Sequence, residues 1–144
     1  MADQQNNRRL GRALTGTAAV VLVATAVSVP QEPFKASATI KEVMATLTVP
    51  SSEVIFAAAS EPPTNDLHWV AVRDSAIALA ESGKLLMTGG RTGDDIWMAM
   101  SRVLVTQAHA AQTAAEARNS AELSKASDDV YETCKVCHAS YMNP

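Results

Sequence analysis

The chain has 144 residues, of which 47% are hydrophobic and 19% charged, with a formal net charge of −3. That balance excludes a disordered tail, a collagen-like chain and a disulfide-dense scaffold, and the acidic sign argues against nucleic-acid binding. Two Trp, two Tyr and two Phe are the only aromatics, so an alanine-rich core either packs its helices very closely or holds something besides side chains.

Arg8, Arg9 and Arg12 precede an uncharged stretch at residues 13–29, which Pro30 closes, and Ala36-Ser37-Ala38 follows. A basic start, an apolar middle and a small-residue end are the order of an export signal. The stretch is shorter than the roughly 20 apolar residues of a comfortable membrane span, and it carries Thr15, Gly16, Thr17, Thr25 and Ser28. Cleavage and retention as a membrane tether both stay open, with a buried core helix as the blander alternative. The expected division is a signal peptide or N-terminal membrane anchor over 1–38 and one domain over 39–144. Residues 39–144 carry eight basic and thirteen acidic side chains, a formal charge of −5, which further disfavours nucleic-acid and membrane-surface roles.

Nothing after residue 38 reads as a hairpin, and four segments read as helix. The first, 39–59, has Ile40, Val43, Met44, Leu47, Val54, Ile55 and Ala58 at helical spacing. Pro50 inside it, followed by Ser51 and Ser52, predicts a kink or a break restarted by a serine cap. Pro62-Pro63 ends the segment. Thr64, Asn65 or Asp66 caps a second helix reaching Leu86, with Trp69, Val72, Ala76, Leu79 and Ala80 as its stripe. Gly89, Gly90 and Gly93 make the next connection, and Thr92 or Asp94 caps a third helix carrying Ile96, Trp97, Met100, Val103, Leu104, Ala108, Ala111 and Ala115. Asn119 and Glu122 form a capping pair for the fourth, along which Leu123, Ala126, Val130, Cys134, Cys137, His138 and Tyr141 share a side. Short connections make neighbours antiparallel, so the expected fold is all-α, an antiparallel four-helix bundle.

Cys134 and Cys137 are the only cysteines, and His138 follows the second. C-x-x-C-H is the attachment motif of c-type haem. Positions i, i+3 and i+4 share one helical face, so two thioethers tether the porphyrin edge while the imidazole reaches the iron as proximal ligand. The expected cofactor is haem c, one per chain, and an export signal fits it independently. Zinc requires further donors, and His68 and His109 form no spaced partner motif. A thioredoxin-like dithiol requires a preceding strand. A disulfide across one helical turn constrains little. Zinc or dithiol chemistry remains the non-haem alternative.

A four-helix bundle with C-x-x-C-H near its C-terminus resembles the class II c-type cytochromes, the group of cytochrome c prime and its low-spin relatives. The likeness covers about 39–141 and includes Met44 on the leading helix, Trp69, Ala80-Glu81-Ser82 before Leu85-Leu86, and Trp97. In that family the residue opposite the proximal histidine comes from the first helix. The resemblance therefore implies Met44 as the distal iron ligand, as in the low-spin members. Met87, Met98, Met100 and Met142 are rivals by residue type, and ordinary core filling is the plainer use of Met44. Lys41 and Arg73 are cations for the porphyrin's acid groups, or simply solvated. No nucleophile–base pair and no phosphate loop occurs, so an enzyme is not expected.

The resulting expectation is an exported, periplasmic one-electron carrier, soluble or tethered through residues 13–29, that meets redox partner proteins. A five-coordinate haem protein binding nitric oxide or carbon monoxide is the alternative. The resemblance also implies a homodimer as one assembly, since such proteins often pair through their first two helices.

Overall fold

A computed structural model describes residues 35–142, and the expected leader stretch at 13–29 lies outside the described residues. Four helices follow in order: α1 over Ile40–Ser60, α2 over Asp66–Leu85, α3 over Asp95–Glu116 and α4 over Ser120–Tyr141. No strand occurs among the described residues.

Each start carries a side-chain acceptor for otherwise orphaned N–H groups. Thr39 Oγ1 accepts from the Glu42 N–H at 3.2 Å, and Glu42 Oε2 accepts from the Thr39 N–H at 2.8 Å, a reciprocal capping box. Asn65, Asp94 and Asn119 cap α2, α3 and α4 by accepting from the N–H of His68, Trp97 and Glu122. The turn between α2 and α3 uses Gly89 and Gly90 at φ 65° and 81°, where a side chain would be strained.

The helices form a ring in which α1 flanks α2 and α4 while α3 flanks the same two. Neighbours run antiparallel. Thr48 in the first half of α1 meets Ser82 near the end of α2, and Trp97 at the start of α3 meets Tyr141 at the end of α4. At Gly83 the α2 backbone comes so close to α3 that an added Cβ would lie 2.8 Å from Val105 Cγ2.

Packing divides along the bundle axis. At one end Ala76, Ala108, Ala111, Ala114, Ala115 and Ala126 are buried beside Trp69 and Leu123, so small residues let the helices close on one another. The other end holds an open cleft between α1 and α4. Close packing of small residues thus fills one end of the bundle, and an open cleft lies at the other.

The predicted stripes of α2 and of α4 as far as Val130 are buried, whereas Ile96 of α3 is exposed. α1 departs further. Pro50 neither breaks the helix nor is followed by a serine cap. Instead the turn over Met44–Thr48 widens into a π-turn, in which the Val49 N–H reaches back five residues to the Met44 carbonyl. Ser51 and Ser52 continue the helix as buried residues, and Val54, expected inside, is exposed. Proline lacks an N–H and its ring crowds the carbonyl four residues earlier, and a wider turn relieves that crowding without ending the helix. By length and composition α1 is able to cross a membrane (mean hydropathy 1.3). Within the bundle it is the wall beside the cleft.

Candidate functional site

Two connected chambers make up the cleft. The outer one, about 660 Å³, is lined by Ile40, Lys41, Met44, Trp97, His138 and Tyr141, among others. The inner one, about 50 Å³, runs between Met44, Thr48 and Ser52 of α1, Met100, Ser101 and Leu104 of α3, and Thr133, Cys134, Cys137 and His138 of α4. Met44, Val49, Cys137 and His138 border both. The four sequence-predicted residues thus meet at one place, Met44 on the α1 wall and Cys134, Cys137 and His138 on the α4 wall. The lining is predominantly apolar, and the outer volume falls within the roughly 300–1,000 Å³ of small-molecule and cofactor sites.

The thiols are free and half-buried, and His138 is exposed. Burial pushes both thiols above their ordinary pKa, with the charge of Cys137 adding to the rise at Cys134. Both are therefore protonated at neutral pH. A thiol-exchange site works through a thiolate, which positive surroundings favour by lowering the pKa. Among the described residues no three His, Cys, Asp or Glu side chains converge to hold an ion. The motif lays its two sulfurs and its imidazole along one face of α4, at the wall of the cleft.

Other expected residues sort cleanly. Lys41 lines the outer chamber. Arg73 lies at the opposite end of the bundle, paired with Asp74 at 2.7 Å and lining a different hollow with Trp69 and Arg118, so it does not serve the cleft. His68 and His109 are exposed and sit near Asn65 and Gln112. Among the rival methionines, Met100 faces the inner chamber and Met142 the outer one, while Met87 and Met98 border neither.

Trp97, Tyr141 and Asp94 form a cluster at the cleft's rim that sequence reasoning did not assemble. Trp97 Nε1 donates to the Leu86 carbonyl at 2.9 Å, and its ring meets Tyr141 edge-on with centroids 5.1 Å apart. The Tyr141 hydroxyl donates to Asp94 Oδ1, the atom that also accepts the Trp97 N–H and caps α3. Gly93 leaves room for the indole, since a Cβ there would lie 2.6 Å from Trp97 Cγ. Behind this cluster the buried Arg91 donates from Nε to the Ala38 carbonyl at 2.9 Å and from Nη1 to that of Leu85 at 3.1 Å. It ties the entry of α1 to the exit of α2.

The hydroxyl of Tyr141, and then the Trp97 N–H, hold the Asp94 carboxyl below its usual pKa. The bond to Asp94 in turn pushes Tyr141 up to about 12 from 10.0. A lowered carboxyl stabilises the fold above its unfolded pKa and loses that contribution as pH falls through the folded value. A raised phenol stabilises below 10.0 and loses its contribution as pH climbs through about 12. Tyr141→Phe is therefore expected to melt below the wild type at neutral pH. The gap should close in acid beneath the carboxylate range and again near pH 12, as thermal melts across pH will show. A constant gap would contradict the assignment.

Comparison with protein-family models, curated proteins and solved structures gives no match.

Proposed function

We propose that the protein is an exported c-type cytochrome of the class II kind, with haem c carried by Cys134 and Cys137, His138 as proximal ligand and Met44 as distal ligand. The observation that carries this reading is the convergence of Met44 with the C-x-x-C-H motif on opposite walls of one apolar cleft. The haem supplies a one-electron couple, and imidazole–thioether ligation favours the reduced state relative to harder donors. The chain's own residues do the rest. Val49, Leu86 and Leu104 restrict water, Lys41 offers a cation to the acid groups, and the Trp97–Tyr141–Asp94 cluster fixes the last turn of α4. Protein carriers of this kind exchange electrons with redox partner proteins rather than turn over a substrate.

A gas-binding haem protein is the second reading. The inner chamber beside Met44 favours it, because small space remains next to the distal residue. The test of the haem assignment is to isolate the protein from the periplasmic fraction of a host able to attach haem, denature it and stain for haem. Colour migrating with the polypeptide supports covalent attachment. Haem removed by acid–acetone, or none at all, rejects it. The ferric and ferrous spectra of the same sample then separate six-coordinate carrier from open gas site.

A further inference from the structure

We infer that Pro50 selects the distal residue: through the π-turn at Met44–Thr48 it aims Met44 into the cleft, where a regular helix would aim Ala45. The inference rests on the haem reading above and concerns how the α1 wall is built.

The burial pattern carries the argument. Counting back from Ala58, the buried residues of α1 are Ile55, Ser52, Ser51 and Thr48, at ordinary helical spacing. A regular helix of 3.6 residues per turn continues that stripe to position 44. The buried residue is instead Val43, 2% exposed, while Met44 is half-buried on the flank facing the cleft. One residue has been added to the turn, as expected when a bond spans five residues rather than four. Everything before the turn is consequently displaced by one place. In a regular helix Met44 would occupy the core position of Val43, against α2, and Ala45 would take the place of Met44. Ala45 is exposed and borders only the outer chamber, whereas Met44 borders both.

Pro50 directly follows the residue whose N–H closes the wide turn. It can neither donate backward nor tolerate a carbonyl in the usual place, and the widening answers both problems. Hydroxyls hold the turn in position. Thr48 Oγ1 donates to Ser82 Oγ at 3.1 Å, and Ser82 Oγ donates to the Leu79 carbonyl at 2.8 Å, both inside the bundle. Thr46 Oγ1 donates to the Glu42 carbonyl at 2.6 Å. Pro50 is thus a positioning residue: it acts on the iron only through Met44.

The experiment uses the haem-loaded full chain and reads two signals, the backbone bond to the Val49 N–H in a crystal structure and the far-red thioether-to-iron band of the ferric state. In Pro50→Ala the Val49 N–H is expected to bond the Ala45 carbonyl, and the band is expected to be lost. In Pro50→Ala/Met44→Val/Ala45→Met the shifted sequence restores valine to the core and thioether to the cleft, so the band returns. Met44→Val/Ala45→Met with Pro50 kept moves the thioether to a position that borders only the outer chamber, and it is expected to lack the band. A Pro50→Ala chain that keeps the Val49–Met44 bond, or that becomes regular and keeps the band, overturns the inference. So does failure of the triple variant to recover the band, or full recovery with Pro50 in place. A wild type without the band rejects Met44 as ligand instead, and the backbone readout still judges the role of Pro50 in the turn.

Discussion

Cys134→Ser/Cys137→Ser, exported from a host able to attach haem, is expected to yield a colourless chain that melts far below the wild type. The cleft separates α1 from α4, and on its walls Met44 and Cys137 are only half-buried while Val49 and His138 are exposed. A ligand present at a thousandfold its dissociation constant stabilises by about 4 kcal/mol, and a tethered one is never more dilute. For a domain of this size each kcal/mol is about 4–8 °C, so the loss is on the order of 15–30 °C. Far-UV circular dichroism against temperature, alongside the haem stain, measures it. A colourless variant melting cooperatively at the wild-type temperature would show that side chains alone complete the fold.

Met44→Ala is expected to change the spectrum rather than the fold. The side chain is half-buried at the cleft wall rather than locked in the core, so truncation costs little packing while removing the soft donor opposite His138. The ferric far-red band should vanish, and carbon monoxide should bind the ferrous protein. The reduction potential should fall by on the order of 100 mV, given about 59 mV per tenfold change in a one-electron equilibrium. Potentiometric titration and carbon monoxide difference spectra report both effects. A wild type already high-spin and unaltered by the substitution would favour the gas-binding reading. Met100, which faces the inner chamber from α3, is the residue to substitute next if methionine ligation survives Met44→Ala.

Much of this architecture was legible from local chemistry. Asn65, Asp94 and Asn119 mark helix starts because their short side chains reach the N–H groups that a new helix leaves unpaired. Pro62-Pro63 stops α1 for the complementary reason. The i, i+3, i+4 spacing of Cys134, Cys137 and His138 was enough to place them on one wall, whereas Met44 was nominated for the opposite wall by the resemblance to class II cytochromes and not by spacing. The course of α1 through Pro50 was not legible. Whether proline breaks, kinks or widens a helix depends on what stabilises the freed groups, and the decisive hydroxyl of Ser82 lies 34 residues from Thr48. The rim cluster was hidden for a similar reason. Trp97, Tyr141 and Asp94 meet only once the register of α3 against α4 is set, and nothing near Tyr141 in sequence announces a carboxylate 47 residues away. Arg91 reads as a loop cation and becomes a buried clasp only when Ala38 and Leu85 arrive beside it.

The alanine-packed end also sets an order of assembly. Ala76, Ala108, Ala111, Ala115, Leu123 and Ala126 are buried and do not line the cleft, so on the proposed haem reading this half holds together without the haem. Opening free energies should then form a gradient along the axis: amides near Ala111 and Leu123 exchange only through global unfolding, while those of 40–49 and 133–141 exchange through local opening. On that proposed reading, an exported chain would present Cys134 and Cys137 on a helix anchored at its far end, with the facing wall still free to swing aside. Covalent attachment would then come last, closing a structure whose other half is already committed.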